Sequence, residues 1–147
     1  MAKGASISGF PEWLPSERVV EQRVIDTLRK VFELNGFIGI ETRAVETGAS
    51  LLKKGETSKE IYLLSRLQEV GHESDTPIEE RLGLHFDLTV PLSRYVVEHS
   101  GALAFPFKRW QIQKVWRGER PQEGRFREFV QADIDVIGAG DLPEHYE

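Results

Sequence analysis

Between positions 24 and 32, apolar side chains recur at helical spacing. Val24, Ile25, Leu28, Val31 and Phe32 fall at i, i+1, i+4, i+7 and i+8, the stripe of an amphipathic helix. Pro15 and Ser16 precede it, with Ser16 placed to act as N-cap and Glu17 favourably set in the first turn. Gly36 is a C-terminal stop, so a helix is predicted over about 16–35. Periodicity alone predicts that this stripe packs into the core. Phe37 to Val45 then has strand character. Residues 46–58 are mixed, anchored by Leu51 and Leu52, and Lys59 to Leu67 reads as a second strand. Gln68 to Glu80, with Gly71, Asp75 and Pro77, has the composition of an exposed hairpin loop. Arg81 to Asp87 is predicted as the returning strand, and Thr89 is placed to cap a helix running to about His99 and closed by Gly101.

The last third carries the clearest pattern. Phe107 to Arg117 and Phe126 to Ile137 both read as strands, joined by the charged turn Gly118 to Arg125, a long antiparallel hairpin. Alternation sorts the second arm into two faces. Glu128, Val130, Ala132, Ile134 and Val136 share one that is mostly apolar; Arg127, Phe129, Gln131, Asp133 and Asp135 share the other. One aromatic among an arginine, a glutamine and two aspartates suits the floor of a site for a polar ligand. A solvent-facing hairpin is the plainer alternative on pattern alone.

Composition narrows the classes. The 147 residues contain no cysteine, which excludes a disulfide scaffold, a cysteine-ligated zinc site and a thiol nucleophile. No apolar run approaches the ~20 residues needed to span a membrane. The opening Met1 to Ser6 lacks the apolar core of a secretory signal, so a cytoplasmic location is expected. The net charge is −5, but from Phe105 to Gln131 seven basic residues against three glutamates make +4, leaving −9 for the rest. A basic island in an acidic chain suggests a local anion site rather than a surface that coats nucleic acid.

Four segments, taken in order, resemble a class II aminoacyl-tRNA synthetase, and within that class the histidyl-tRNA synthetase family. Gly9-Phe10-Pro11-Glu12-Trp13-Leu14-Pro15, the long helix and Gly36-Phe37 are similar to the family's opening and its motif 1. Phe86-Asp87-Leu88-Thr89-Val90-Pro91-Leu92-Ser93-Arg94-Tyr95 is similar to its amino-acid-binding segment. Trp116-Arg117-Gly118-Glu119-Arg120-Pro121 with Gly124-Arg125-Phe126-Arg127-Glu128-Phe129 resembles motif 2, and Gln131 to Gly138 continues as that motif's strand does. The resemblance implies an α+β fold, an antiparallel sheet with flanking helices, as part of a class II catalytic domain. It places motif 1 at about 10–46, the amino-acid-binding segment at 84–95 and motif 2 at about 107–138.

The implied activity is that of a histidine–tRNA ligase, which joins histidine to ATP as histidyl-adenylate and then transfers it to tRNA. The implied ligands are histidine, ATP with Mg²⁺, and tRNA, and the implied assembly is a homodimer through motif 1. The resemblance makes Arg117 the catalytic guanidinium at the α-phosphate, Arg125 the loop residue reaching the outer phosphates, Phe129 the ring that stacks on adenine and Glu119 the acid that meets the adenine amino group. A fixed guanidinium suits charge growing at phosphorus, because it is always ionised and donates in a fork. Asp87, Thr89, Gln131 and Asp135, with Arg117, match the positions that ring the amino group and carboxylate of histidine. No protein ligand for a metal is implied.

Two residues depart from the family pattern. Arg43 stands where the motif 1 strand normally carries a proline, and His85 stands two residues before Asp87, where an arginine is usual. Neither the glycine-rich motif 3, nor the family's histidine-specific segment, nor an anticodon-binding domain is found in these residues, so the chain is expected to be the N-terminal portion of a catalytic domain and weakly active or inactive alone. A synthetase-like regulatory or binding module without catalysis is the alternative, and a pure dimerisation fragment a third. An intact Arg117, Gln131 and Asp135 favour the enzyme.

Overall fold

The computed structural model describes residues 6–53, 60–69 and 76–138. Helix α1 (Pro15–Leu34) starts one residue before the expected cap. Proline at the first helical position has no N–H to lose and a φ already suited to the helix, so Leu14 becomes the N-cap and Ser16 lies inside the first turn. The capping contact comes from Glu17, whose Oε2 accepts the Leu14 N–H at 2.9 Å. Gly36, with φ +78°, ends the helix.

The expected strand from Phe37 to Val45 is divided between two sheets. Strand β1 (Ile38–Gly39) runs parallel to the start of β4 (Phe107–Trp116), pairing Ile38 with Arg109 and Gly39 with Trp110. A Cβ at Gly39 would stand 2.5 Å from the Trp110 ring, so only glycine allows this approach. After Ile40 donates to the Trp110 carbonyl at 3.0 Å the chain leaves that sheet. Strand β2 (Val45–Thr47) then pairs antiparallel with β3 (Leu82–Leu84) in a second sheet. Extended backbone has no preference between partners; tertiary placement of β3 and β4 makes the division.

Thr47 caps the short helix α2 (Gly48–Leu52), accepting the Ser50 N–H. The second expected strand does not form. Lys59 lies outside the described residues. From Ile61 onward the chain runs beside β3 through a single bridge, Leu63 to Gly83, then enters a 3-10 turn at Leu67–Glu69. Of the expected loop Gln68 to Glu80, residues 70–75 lie outside the described residues, and 78–80 turn into β3. The returning strand is shorter than predicted, because His85 to Leu88 fold inward without regular pairing and are buried.

Helix α3 (Thr89–His99) follows, then β4 and β5 (Glu128–Ile137), an unbroken antiparallel hairpin from the Phe107–Ile137 pair to the Trp116–Glu128 pair. The expected α+β arrangement is present, with β1 as a short parallel neighbour of the antiparallel pair. The buried apolar residues are Leu51, Phe86, Leu88, Leu92, Phe107 and Val115; full burial of such a side chain contributes about 1.5–3 kcal/mol. The stripe on α1 is not core. No residue of that helix is fully buried, and Val19, Val20, Val24, Val31 and Leu34 are exposed. The helix leans on β1 and β4 along one narrow side, which half-buries only Ile25, Leu28 and Phe32 of its apolar set. Among the described residues no helix is long and apolar enough to cross a membrane.

Candidate functional site

Register, not proximity in sequence, assembles the polar face of the hairpin. Residues directly opposite in an antiparallel pair project to the same side. The pairs Arg109–Asp135, Gln111–Asp133, Gln113–Gln131 and Val115–Phe129 therefore form one face. Lys108, Trp110, Ile112, Lys114 and Trp116 go to the other with Glu128, Val130, Ala132, Ile134 and Val136. That reverse side meets α1 across a cavity of about 610 Å³ lined by Trp13, Ile25, Leu28, Ile112, Phe126 and Ala132. Of the candidate site residues only Phe129 reaches its lining, which also carries the charged side chains of Arg18, Lys114 and Glu128.

Arg117 stands where β4 ends, and two segments, the Phe86 stretch and β5, converge on its half-buried side chain. Nε donates to the Phe86 carbonyl at 3.1 Å, Nη2 donates to Gln131 Oε1 at 3.2 Å, and the guanidinium carbon lies 5.0 Å from the centroid of the Phe129 ring. Its backbone N–H donates to the Arg127 carbonyl at 2.8 Å, closing the hairpin mouth. Gln131 is fixed on both sides: its amide oxygen faces Arg117, while its NH₂ donates to both oxygens of Asp133, at 3.0 and 3.1 Å. Phe86 ties the Asp87 segment to the same corner. Asp87 is buried and accepts the Val90 N–H at 3.2 Å. It makes the contact at the start of α3 that was expected of Thr89: Leu88 is the N-cap, and Thr89 is the exposed first residue of the helix.

Arg117, Phe129, Gln131 and the Asp87 segment are thus brought together. Asp135 is not at the same place. It shares the face of Gln131 but stands four residues further along β5, roughly 13 Å at the rise of a strand. The two residues therefore stand at different places along the polar face. At the loop, Glu119 meets Arg125 through an ion pair of 3.6 Å between partly exposed side chains, and its carbonyl accepts from Arg127 Nε at 3.0 Å. The Gln122–Arg125 bridge, with Gly124 at φ +73°, makes the loop tip a tight turn.

The strongest group at the Asp135 end was not singled out by sequence. Arg109 is 1% exposed and its Nη2 contacts Asp135 Oδ2 at 2.5 Å, while Nη1 donates to Gln111 Oε1 at 3.3 Å. Gln111 in turn donates to Thr42 and to Gln113, and Gln113 donates to the Thr42 carbonyl. Burial holds Arg109 below its ordinary value against the attraction of Asp135 and Asp133. Burial likewise pushes the Asp135 carboxyl up; Arg109 pulls it down and Asp133 pushes it further up. Both partners shift toward neutrality, so desolvation outweighs their attraction. Alternation along β4 would have placed Arg109 on one face with Gln111 and Gln113, but only the register shows which carboxylate it meets.

His85 is fully buried and committed to structure. Its Nε2 donates to the Lys114 carbonyl at 2.7 Å, the ring lies 5.6 Å from that of Trp116, and Nδ1 has no partner among the described residues. It ties the Asp87 segment to β4. Arg43 is half-exposed and joins Glu46 at 3.4 Å and Glu98 at 3.9 Å.

No family model matches the chain. All 147 residues align at 99% identity with the histidine–tRNA ligase of Bifidobacterium longum subsp. infantis, covering 32% of that protein. The whole chain aligns at 64% identity with the histidine–tRNA ligase of Micrococcus luteus, covering 34% of it. The crystal structure of a histidyl-tRNA synthetase from a Nostoc species superposes on 98% of the chain with a TM-score of 0.80 and 44% identity, over 31% of its own length. The chain is similar to histidyl-tRNA synthetases along its whole length, and its fold is that of part of a class II synthetase catalytic domain. It spans about a third of the relatives it matches.

Proposed function

We propose that this chain is the N-terminal portion of the catalytic domain of a histidine–tRNA ligase working in the cytoplasm, and that the whole protein activates histidine with ATP before transferring it to tRNA. The observation that carries this is the corner at Arg117, where an always-charged fork is held by a backbone carbonyl and a fixed glutamine beside an aromatic ring. In the reaction a histidine carboxylate oxygen attacks the α-phosphorus of ATP, a P–O bond forms, and the bond to the β-phosphate breaks to release pyrophosphate. Negative charge grows on the α-phosphate oxygens, and Arg117 is preorganised to donate to it. No side chain need act as nucleophile; holding the two substrates in line supplies much of the rate.

Phe129 offers its ring to adenine, with Glu119 accepting from the adenine amino group and Arg125 closing on the outer phosphates. Gln131, Asp87 and Thr89 serve the α-ammonium and carboxylate end of histidine, near Arg117. Asp135, at the far end of the face, serves the imidazole. Mg²⁺ arriving with ATP would offset phosphate charge; among the described residues no group of three His, Cys, Asp or Glu side chains offers a site for it. The exposed apolar side chains of α1 and Ile38 are the surface for self-association through motif 1.

Histidine-dependent ATP–pyrophosphate exchange by the full-length protein carrying this segment tests the reading. Exchange is expected with histidine and not with other amino acids. Histidine binding without exchange would favour the non-catalytic module instead.

A further inference from the structure

Arg109 makes an expensive contact for so small a structural gain. Its side chain is 1% exposed, Nε is buried with no partner among the described residues, and the Asp135 side chain that it holds is 43% exposed. An apolar residue at this position would leave no buried cation to compensate, and replacing such a pair by apolar side chains is often neutral or stabilising. The arrangement instead resembles the support of a functional carboxylate: one nitrogen of a buried guanidinium, whose other terminal nitrogen is tied to Gln111, holds one oxygen while the group stays part-exposed. The cross-strand register sets Arg109 directly opposite Asp135. The Gln111–Gln113–Thr42 hydrogen bonds hold the neighbouring layer of β4.

The geometry points to Arg109 as the positioning residue that holds the Asp135 carboxylate in place as the acceptor for the side chain of histidine. This rests on the histidine reading above and extends it. Arg109 itself touches no substrate. With its rotamer free and the Asp133 charge unopposed, Asp135 becomes a poorer and less directed acceptor, so the loss falls on histidine and not on ATP.

The test is pyrophosphate exchange by the full-length protein, comparing Arg109→Leu, Arg109→Lys, Asp135→Ala and the double variant Arg109→Leu/Asp135→Ala. Arg109→Leu is expected to raise the KM for histidine about tenfold or more while the KM for ATP stays within about twofold. The double variant is expected to be no worse for histidine than Asp135→Ala alone, because residues acting through one another are not additive. Arg109→Lys keeps a buried cation but loses the planar group that reaches Asp135 and Gln111 at once. It is expected to raise the histidine KM by about threefold or more with ATP unchanged, and it carries the test by itself should the leucine variant not fold. A histidine KM within about twofold of the parent in the lysine variant and any folded leucine variant would overturn the role of Arg109. So would equal rises for histidine and ATP, or additive losses in the double variant. A parent without histidine-dependent exchange would overturn the histidine reading, and this inference with it.

Discussion

The guanidinium of Arg117 lies over the ring of Phe129, 5.0 Å from its centroid, and the same guanidinium reaches Gln131. One residue thus links the ring proposed for adenine to the amide proposed for histidine. Arg117→Ala is expected to lower adenylate formation by about 10²–10³, the effect of losing one preorganised donor worth ~2.7–4 kcal/mol. The fold should survive, since the side chain is only half-buried and Phe86 is held independently by burial. Exchange kinetics within a few-fold of the parent would remove Arg117 from the reaction.

Gln131→Ala and Asp135→Ala should weaken histidine binding far more than ATP binding, and Phe129→Ala should do the reverse. Calorimetric titration of each variant of the full-length protein with each ligand separates these effects. Equal weakening of both ligands by Gln131→Ala would mean that the face is misassigned.

Glu46 is fully buried on β2 and its two carboxylate oxygens accept from Arg94 Nε of α3 at 2.8 and 2.9 Å. Arg94→Met strips that partner from a buried carboxylate and is expected to cost about 3–5 kcal/mol in urea unfolding. Changing both residues to apolar ones should cost less than this single change.

Burial opposes the ionised form of Glu128, but hydrogen bonds from Lys114 and Trp116 and the Lys114 charge outweigh it and hold the carboxyl below its ordinary value of 4.5. A depressed carboxyl contributes stability above the unfolded value that is lost as pH falls through the folded one. Glu128→Gln should therefore cost about 1 kcal/mol at neutral pH. The gap between variant and parent should narrow below about pH 4.5. Thermal melts across that range measure it; a gap independent of pH would show that the pair is not what stabilises the strand.

Ile38, on the edge strand β1, and Val19, Val20, Val24 and Val31 of α1 are all exposed. Exposed apolar patches favour association, and a two-fold interface counts each substitution twice. Light scattering is expected to find the parent as a dimer and Ile38→Asp shifted toward monomer. A parent that is monomeric at high micromolar concentration would rule out this face as sufficient.

Local periodicity alone was enough to read α1, α3, the hairpin and the two faces of β5, because helical and strand repeats are written in neighbouring residues. Phe129 and Gln131 were legible together because alternation puts both on one strand face, whereas Arg117 joined them only through the resemblance of its motif. Contacts between distant segments were not legible. The division of Phe37 to Val45 between two sheets depended on where β3 and β4 lay. Glu17 rather than Ser16 caps α1 because of Pro15, and Asp87 rather than Thr89 contacts the start of α3 because residues 85–88 turn inward. That α1 displays its stripe instead of burying it follows from how little of the described chain packs on it. Arg109 shows the limit most clearly. Its alternation in β4 was visible, but only the hydrogen-bonded register set it against Asp135, since a shift of one residue in pairing would have turned it to the opposite face.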